Sequence, residues 1–215
     1  VAAEIKFCGM TRAADAQVGA MLGASYIGVI FAGGPRHLSP DQAAAVFESV
    51  PSTVRRVGVF DTPDVAWLSE CADRLALGAV QLHGGGDEQT ITRLRAGFAG
   101  EVWAVLRLAN GELPAGAAAL FDCADGVVLD AHVPGRLGGT GVALPWQQLV
   151  ERVAPLRGRR AKLVLAGGLN AANVREAIEL LRPDVVDVSS GVETAPGIKD
   201  HARMRAFRDA VHDHA

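Results

Sequence analysis

Eight short β-branched or aliphatic runs recur along the chain: EIKFC, SYIGVIF, VRRVGVF, GAVQLH, EVWAVLRL, DGVVLD, KLVLAGG and DVVDVSSG. Between them lie stretches rich in Ala, Leu, Arg and Glu with helical spacing, such as TRAADAQVGAMLG, SPDQAAAVFESV, TPDVAWLSECADRL and NAANVREAIELL. A buried strand reads as a short apolar run, whereas an amphipathic helix places apolar residues three and four apart, and the chain switches repeatedly between these patterns. Strict alternation without a hairpin signal makes successive strands parallel, joined by right-handed helical crossovers.

Eight such units within 215 residues leave little room for insertions. Eight parallel strands is also the number that closes into a barrel with a filled interior. The expected fold is an α/β chain forming one domain over residues 1–215, a (β/α)8 or TIM barrel, with an open doubly wound sheet as the alternative. Ser39 before Pro40, Thr62 before Pro63, and Asn170 read as helix N-caps, and Gly23 and Gly100 as helix ends.

With 49% hydrophobic and 21% charged residues the chain can bury a large core. A net charge of -3 offers no basic face for nucleic acid, so small anionic ligands need local positive sites. No apolar run approaches the ~20 residues that span a bilayer. The opening VAAEIKFCG carries Glu4 and Lys6 within its apolar stretch and lacks a signal-peptide layout. Cys8, Cys71 and Cys123 show no C-x-x-C spacing, so neither metal nor disulfide is expected and a cytoplasmic setting fits. Surface Leu and Val leave monomer and homodimer both open.

In a (β/α)8 barrel the chemistry sits at the C-terminal strand ends. Those ends carry Cys8, Arg36, His83, Asp130, Gly167-Gly168 and Ser189-Ser190-Gly191, and the opposite ends are expected to hold no comparable set. Cys8 ends a strand beside Gly9, either at the barrel mouth or as a small buried hydrophobe. Cys71 falls with Val65, Leu68 and Leu75 on an apolar helical face, and Cys123 also reads as structural. Asp130 closes a run that a parallel sheet buries on both faces, as a functional carboxyl or a strand-end turn. The GRLGGTG segment that follows reads as a substrate-covering loop.

LAGGLNAANV and DVSSGVE place small residues between strand and helix, where backbone N–H groups attract an anion, and barrels commonly hold phosphate after strands seven and eight. Arg36 can present a bidentate donor to a carboxylate or phosphate, or be a solvated surface arginine. His83 is either a pocket residue or a structural histidine. Lys6 shares strand parity with Cys8 and so points inward one layer deeper, where it needs a counter-charge; Asp187 is the expected partner.

Taken together, KFCGMT, VRRVG with VFDTP, VQLHG, VVLD with GGTG, LAGGLNAANV, and VDVSSGVE followed by PGIKD resemble the phosphoribosylanthranilate isomerase family along essentially the whole chain. The resemblance implies Cys8 as general base, Asp130 as general acid and Arg36 as the group engaging the anthranilate carboxylate. It implies phosphate on Gly167, Gly168, Ser190 and Gly191. His83 and Asp187, by their place at the strand ends, are also expected among the substrate-binding residues. The implied reaction opens the sugar of N-(5'-phosphoribosyl)anthranilate by two proton transfers, needing neither metal nor cofactor. Asp130 is then expected to be kept protonated by burial, and the Cys8 thiolate to be favoured by Lys6. Phe7, where the family usually has isoleucine, should face the helices. A histidine-pathway sugar isomerase, which carries aspartate where Cys8 stands, and a non-catalytic phosphate-sugar binding barrel are the rival readings.

Overall fold

The computed structural model describes residues 3–84, 86–109, 111–131 and 144–212. Eight parallel strands form the sheet: β1 (Glu4–Phe7), β2 (Tyr26–Ile30), β3 (Arg55–Phe60), β4 (Ala79–Leu82), β5 (Glu101–Leu108), β6 (Gly126–Ala131), β7 (Lys162–Leu165) and β8 (Val185–Val188). Each pairs with the next, and β8 returns to β1 with Lys6 opposite Asp187, so the sheet is a closed barrel. Helices α1 (Ala13–Met21), α2 (Pro40–Phe47), α3 (Val65–Leu75), α4 (Glu88–Arg95), α5 (Ala117–Cys123), α6 (Trp146–Val153), α7 (Val174–Leu181) and α8 (His201–His212) surround it. None of the described helices is long and apolar enough to cross a membrane.

The alternation of strand side chains sorts the apolar residues into two layers. The larger lies between sheet and helices; Phe7 belongs to it and packs against Phe207 of α8 with ring centroids 6.1 Å apart. The smaller fills the barrel itself: Tyr26, Val57, Ala79, Trp103, Val128, Val164, Ala166 and Val185. Tyr26 and Trp103 meet edge-on with centroids 4.8 Å apart, both fully buried.

Two helix starts differ from the sequence reading. Ser39 does cap α2, in a reciprocal box with Gln42. Thr62 does not cap α3; Asp64 does, accepting from Ala66 N and Trp67 N, while Thr62 Oγ1 accepts from Asp64 N one turn earlier. Asn170 folds a turn onto Ala172 N, and α7 begins only after Asn173. In both places an Asx or Thr turn lies just ahead of the helix and mimics a cap in sequence. Gly23, at φ +82, follows the end of α1, whereas Gly100 lies five residues past α4 and immediately precedes β5.

A hairpin that the alternation did not suggest follows β8. A short 3-10 turn, Ser190–Val192, leads into β9 (Glu193–Ala195) and antiparallel β10 (Ile198–Lys199), reversed at Pro196-Gly197 with Gly197 at φ +81. The GRLGGTG segment lies outside the described residues.

Candidate active site

The nine residues expected from the sequence to react with or bind the substrate, namely Cys8, Arg36, His83, Asp130, Gly167, Gly168, Asp187, Ser190 and Gly191, line one cavity of about 610 Å³ at the C-terminal mouth of the barrel. Strand parity places them: Cys8, Asp130 and Asp187 sit at or just past the ends of β1, β6 and β8 in inward phase. Glycine makes the space. A side chain at Gly28, the inward residue of β2 beside β1, would come within 3.1 Å of Cys8 Sγ and 3.3 Å of Lys6 Cε. Gly167 has φ +83, and a Cβ there would stand 3.1 Å from Asp130 Oδ1. At Gly191 a Cβ would fall 1.9 Å from Leu169 O, so the two glycine loops can approach only because that residue is glycine.

Lys6 and Asp187 form a buried ion pair, Nζ to Oδ2 2.8 Å, with the lysine fully enclosed. Burial opposes the charged lysine, but Asp187 and Cys8 together outweigh it and hold its pKa above the ordinary value. The remaining oxygen of that aspartate, Oδ1, is buried without a hydrogen-bond partner among the described residues, and Asp187 is one of the residues lining the cavity. Desolvation, helped by the Asp187 charge, pushes the Asp130 carboxyl up to about 6, against a 2.9 Å hydrogen bond from Ala131 N. Cys8 departs from expectation: burial raises its thiol pKa more than Lys6 lowers it, so the thiol is the resting form. The lysine is close enough, but the dry barrel interior dominates.

Arg36 also differs from a simple pocket donor. Its guanidinium lies side-on against Glu193 of β9, with Nε 2.9 Å from Oε1 and Nη2 2.6 Å from Oε2. Lys199 of β10, buried, reaches the same carboxylate at 2.8 Å and also donates to the carbonyls of Cys8 at 2.6 Å and Ser189 at 3.1 Å. Burial alone would raise the Glu193 carboxyl, but Arg36 and Lys199 hold it below the usual range. His83 is half-buried at the rim, and its carbonyl accepts from Arg107. The glycine loop after β7 is braced from behind, since Gly168 O accepts from Asn173 Nδ2 at 3.0 Å.

Three residues of this arrangement escaped the sequence reading. Glu193 and Lys199 lie in segments it noted, GVE and PGIKD, but their convergence depends on the unforeseen hairpin. Gln81 of β4 lines the cavity, only 3% exposed, with Oε1 lacking a partner among the described residues. A signal for it was present: Gln81 shares parity with His83 in VQLH, and a glutamine pointing into a barrel core needs a reason.

Acid–base work on a small phosphorylated ligand, done at the mouth of a (β/α)8 barrel, is the class of enzyme these features define. Comparison with known proteins narrows it. A family model described as N-(5'-phosphoribosyl)anthranilate (PRA) isomerase matches residues 5–210. The N-(5'-phosphoribosyl)anthranilate isomerase of Pseudomonas fluorescens (strain Pf0-1) is 39% identical over 207 residues, covering 96% of this chain and 97% of that one. The crystal structure of phosphoribosyl anthranilate isomerase from Thermotoga maritima has a TM-score of 0.86 at 32% identity, with 98% and 99% of the two chains covered. Another such isomerase, in complex with reduced 1-(o-carboxyphenylamino)-1-deoxyribulose 5-phosphate, gives 0.83 at 31% identity, covering 98% and 99%. The chain belongs to the N-(5'-phosphoribosyl)anthranilate isomerase family. It is an isomerase of tryptophan biosynthesis, and its substrate is a phosphoribosylanthranilate-type sugar.

Proposed function

We propose that this chain converts N-(5'-phosphoribosyl)anthranilate to 1-(2-carboxyphenylamino)-1-deoxyribulose 5-phosphate with Asp130 as general acid and Cys8 as general base. The supporting observation is that a carboxyl raised to about 6 and a buried thiol border one cavity with two glycine loops. Asp130 donates its proton to the furanose ring oxygen as the C1'–O bond breaks, leaving the C1'–N iminium of a Schiff base. Cys8, as thiolate, removes the C2' proton, and the released pair forms the C1'–C2' enolamine. The enolamine tautomerises to the 2'-ketone as C1' gains a proton and the 2'-hydroxyl loses one. Overall no proton is gained or lost.

Gly167, Gly168, Ser190 and Gly191 take the phosphate, their loops bringing backbone N–H donors close without side chains between. Arg36 takes the anthranilate carboxylate. His83 flanks the ligand, and Asp187 Oδ1 and Gln81 Oε1 are acceptors for the substrate's hydroxyl or anilino N–H, since a buried acceptor without a donor is costly until one arrives. No metal or cofactor takes part. Free cysteines and the absence of a membrane-crossing helix among the described residues support a cytoplasmic site of action. Met21 and Ile198 are the exposed large hydrophobics among the described residues, and sedimentation equilibrium would distinguish a monomer from a homodimer.

Fluorescence gives the test. With phosphoribosylanthranilate generated in situ, the parent chain makes the anthranilate-type emission fall, and Cys8→Ala and Asp130→Asn each slow this by about 10²- to 10⁴-fold while the fold is retained. Either variant turning over as fast as the parent would leave a phosphate-sugar binding barrel as the better account.

A further inference from the structure

The proposed anchoring of the substrate carboxylate by Arg36 leaves open what aims that arginine. Arg36 comes from the loop between β2 and α2, a long side chain with many rotamers, yet only 11% of it is exposed. Its stem passes Gly9, where φ is +70 and a Cβ would stand 2.7 Å from Arg36 Cδ, so the passage exists because residue 9 has no side chain.

We propose that Glu193 is the positioning residue for Arg36, fixing the guanidinium so that its outer edge faces the cavity as the carboxylate receptor. A guanidinium has a side-on edge, Nε with Nη2, and an end-on edge, Nη1 with Nη2. Glu193 occupies the first: Nε donates at 2.9 and 3.2 Å and Nη2 at 2.6 Å. Among the described residues no hydrogen bond engages Nη1, and Nη2 keeps a second N–H, so the end-on edge is free for a planar carboxylate.

Glu193 is itself held from three sides. It accepts from Lys199 Nζ at 2.8 Å and from Gly197 N at 3.2 Å in addition to Arg36, and its side chain is 4% exposed. Lys199 in turn grips the carbonyls of Cys8 and Ser189. One carboxylate thereby ties the arginine to the backbone of the proposed base and to the start of the phosphate loop. With Lys199 protonated, two cations face one anion, and the residual positive charge attracts the ligand's carboxylate. The hairpin β9–β10, foreign to the eight-fold repeat, supplies both Glu193 and Lys199.

This inference rests on Arg36 being the carboxylate anchor, and a double-mutant cycle separates the two claims. Glu193→Gln, Arg36→Lys and the double variant would be compared by steady-state kinetics on phosphoribosylanthranilate, corrected for folded fraction. Glu193→Gln should raise KM about tenfold, the equivalent of one lost charge-assisted hydrogen bond, with kcat changed less than about threefold. In the Arg36→Lys background the same change should add little. A parent-like KM in Glu193→Gln alongside a raised KM in Arg36→Lys overturns the positioning role while sparing the anchor. Multiplying effects in the double variant also overturn it. A parent-like KM in Arg36→Lys discards the anchor itself. If Glu193→Gln does not fold, Glu193→Asp carries the cycle, keeping the charge and retracting it by one methylene; an intermediate rise in KM supports the proposal, and no rise removes it.

Discussion

The two ends of the barrel are both rich in charge, and they use it in opposite ways. At the N-terminal end Lys162 donates to Glu4 at 2.9 Å and to Tyr26 Oη at 2.7 Å, while Glu101 accepts from Trp103 Nε1 at 2.9 Å and from Tyr26 at 3.2 Å. Among the described residues each of these charged groups has a partner, and the Tyr26–Trp103 pair packs in the barrel interior beside them. At the C-terminal end Asp187 Oδ1 and Gln81 Oε1 have none among the described residues, and Asp130 and Cys8 carry pKa values pushed up by burial. Unmet acceptors and disfavoured charges lower stability, so a fold tolerates them where a ligand completes them. The contrast marks the working face without reference to family.

The sharpest way to break that contrast is through Asp130. The proposed mechanism needs its acid form together with the Cys8 base form, yet the acid sits at about 6 and the thiol above its ordinary 9.0. With the acid the stronger of the two, the active pair is a small fraction of the free enzyme. kcat/KM is then expected to rise to about pH 6, stay level, and fall only above the ordinary thiol range. The limb at 6 belongs to Asp130 and should vanish in Asp130→Asn, whose kcat drops by about 10²-fold or more. A profile falling above pH 6 would mean that the thiolate is already formed there.

Stability should move the other way. The folded pKa of Asp130 lies above its unfolded value, so its contribution is fully present below about 3.8 and is lost as pH rises through about 6, a change of about 3 kcal/mol. Asparagine mimics the neutral acid at every pH. Urea unfolding should therefore show Asp130→Asn gaining on the parent between pH 4 and pH 8, and equal shifts at both would count against burial as the cause.

A second variant at the same end tests the pair one layer down. Lys6→Met keeps the stem and removes the charge, leaving Asp187 8% exposed with no cation. Breaking a buried pair from one side costs about 3–5 kcal/mol, which a shifted urea midpoint would report. Because Lys6 is the chief influence lowering the thiol, Cys8 should also be alkylated more slowly in the folded variant at a given pH.

How far these features could be read in advance depends on the range of the interaction. Strand number, closure and inward parity are local patterns, and parity alone carried Lys6 to Asp187 across 181 residues. The mouth residues followed because a parallel barrel exposes only strand ends. What stayed hidden was relational. Glu193 and Lys199 meet Arg36 through a hairpin that the repeat does not contain. The thiol's resting state depends on a balance between desolvation and one charge, which no motif encodes. The N-terminal cluster also went unseen, since Glu4, Tyr26, Glu101 and Lys162 each begin a different strand and are polar residues where any strand starts. Only closure brings them into one ring.

That ring gives the mildest prediction and the cleanest control. Lys162→Met removes the donor shared by Glu4 and Tyr26, but the carboxylates left behind are not sealed: the Glu4 side chain is 35% exposed and that of Glu101 21%. Water can reach them, so the loss should be about 1–2 kcal/mol, below that of Lys6→Met. Because Tyr26, Trp103 and the apolar residues packed with them fill the barrel interior between this end and the cavity, kcat/KM of the folded variant should match the parent within about twofold. Measuring both on one preparation decides the matter. Lost turnover at retained stability would mean that the N-terminal ring reaches the site, and that the two ends are not the separate devices their hydrogen bonding describes.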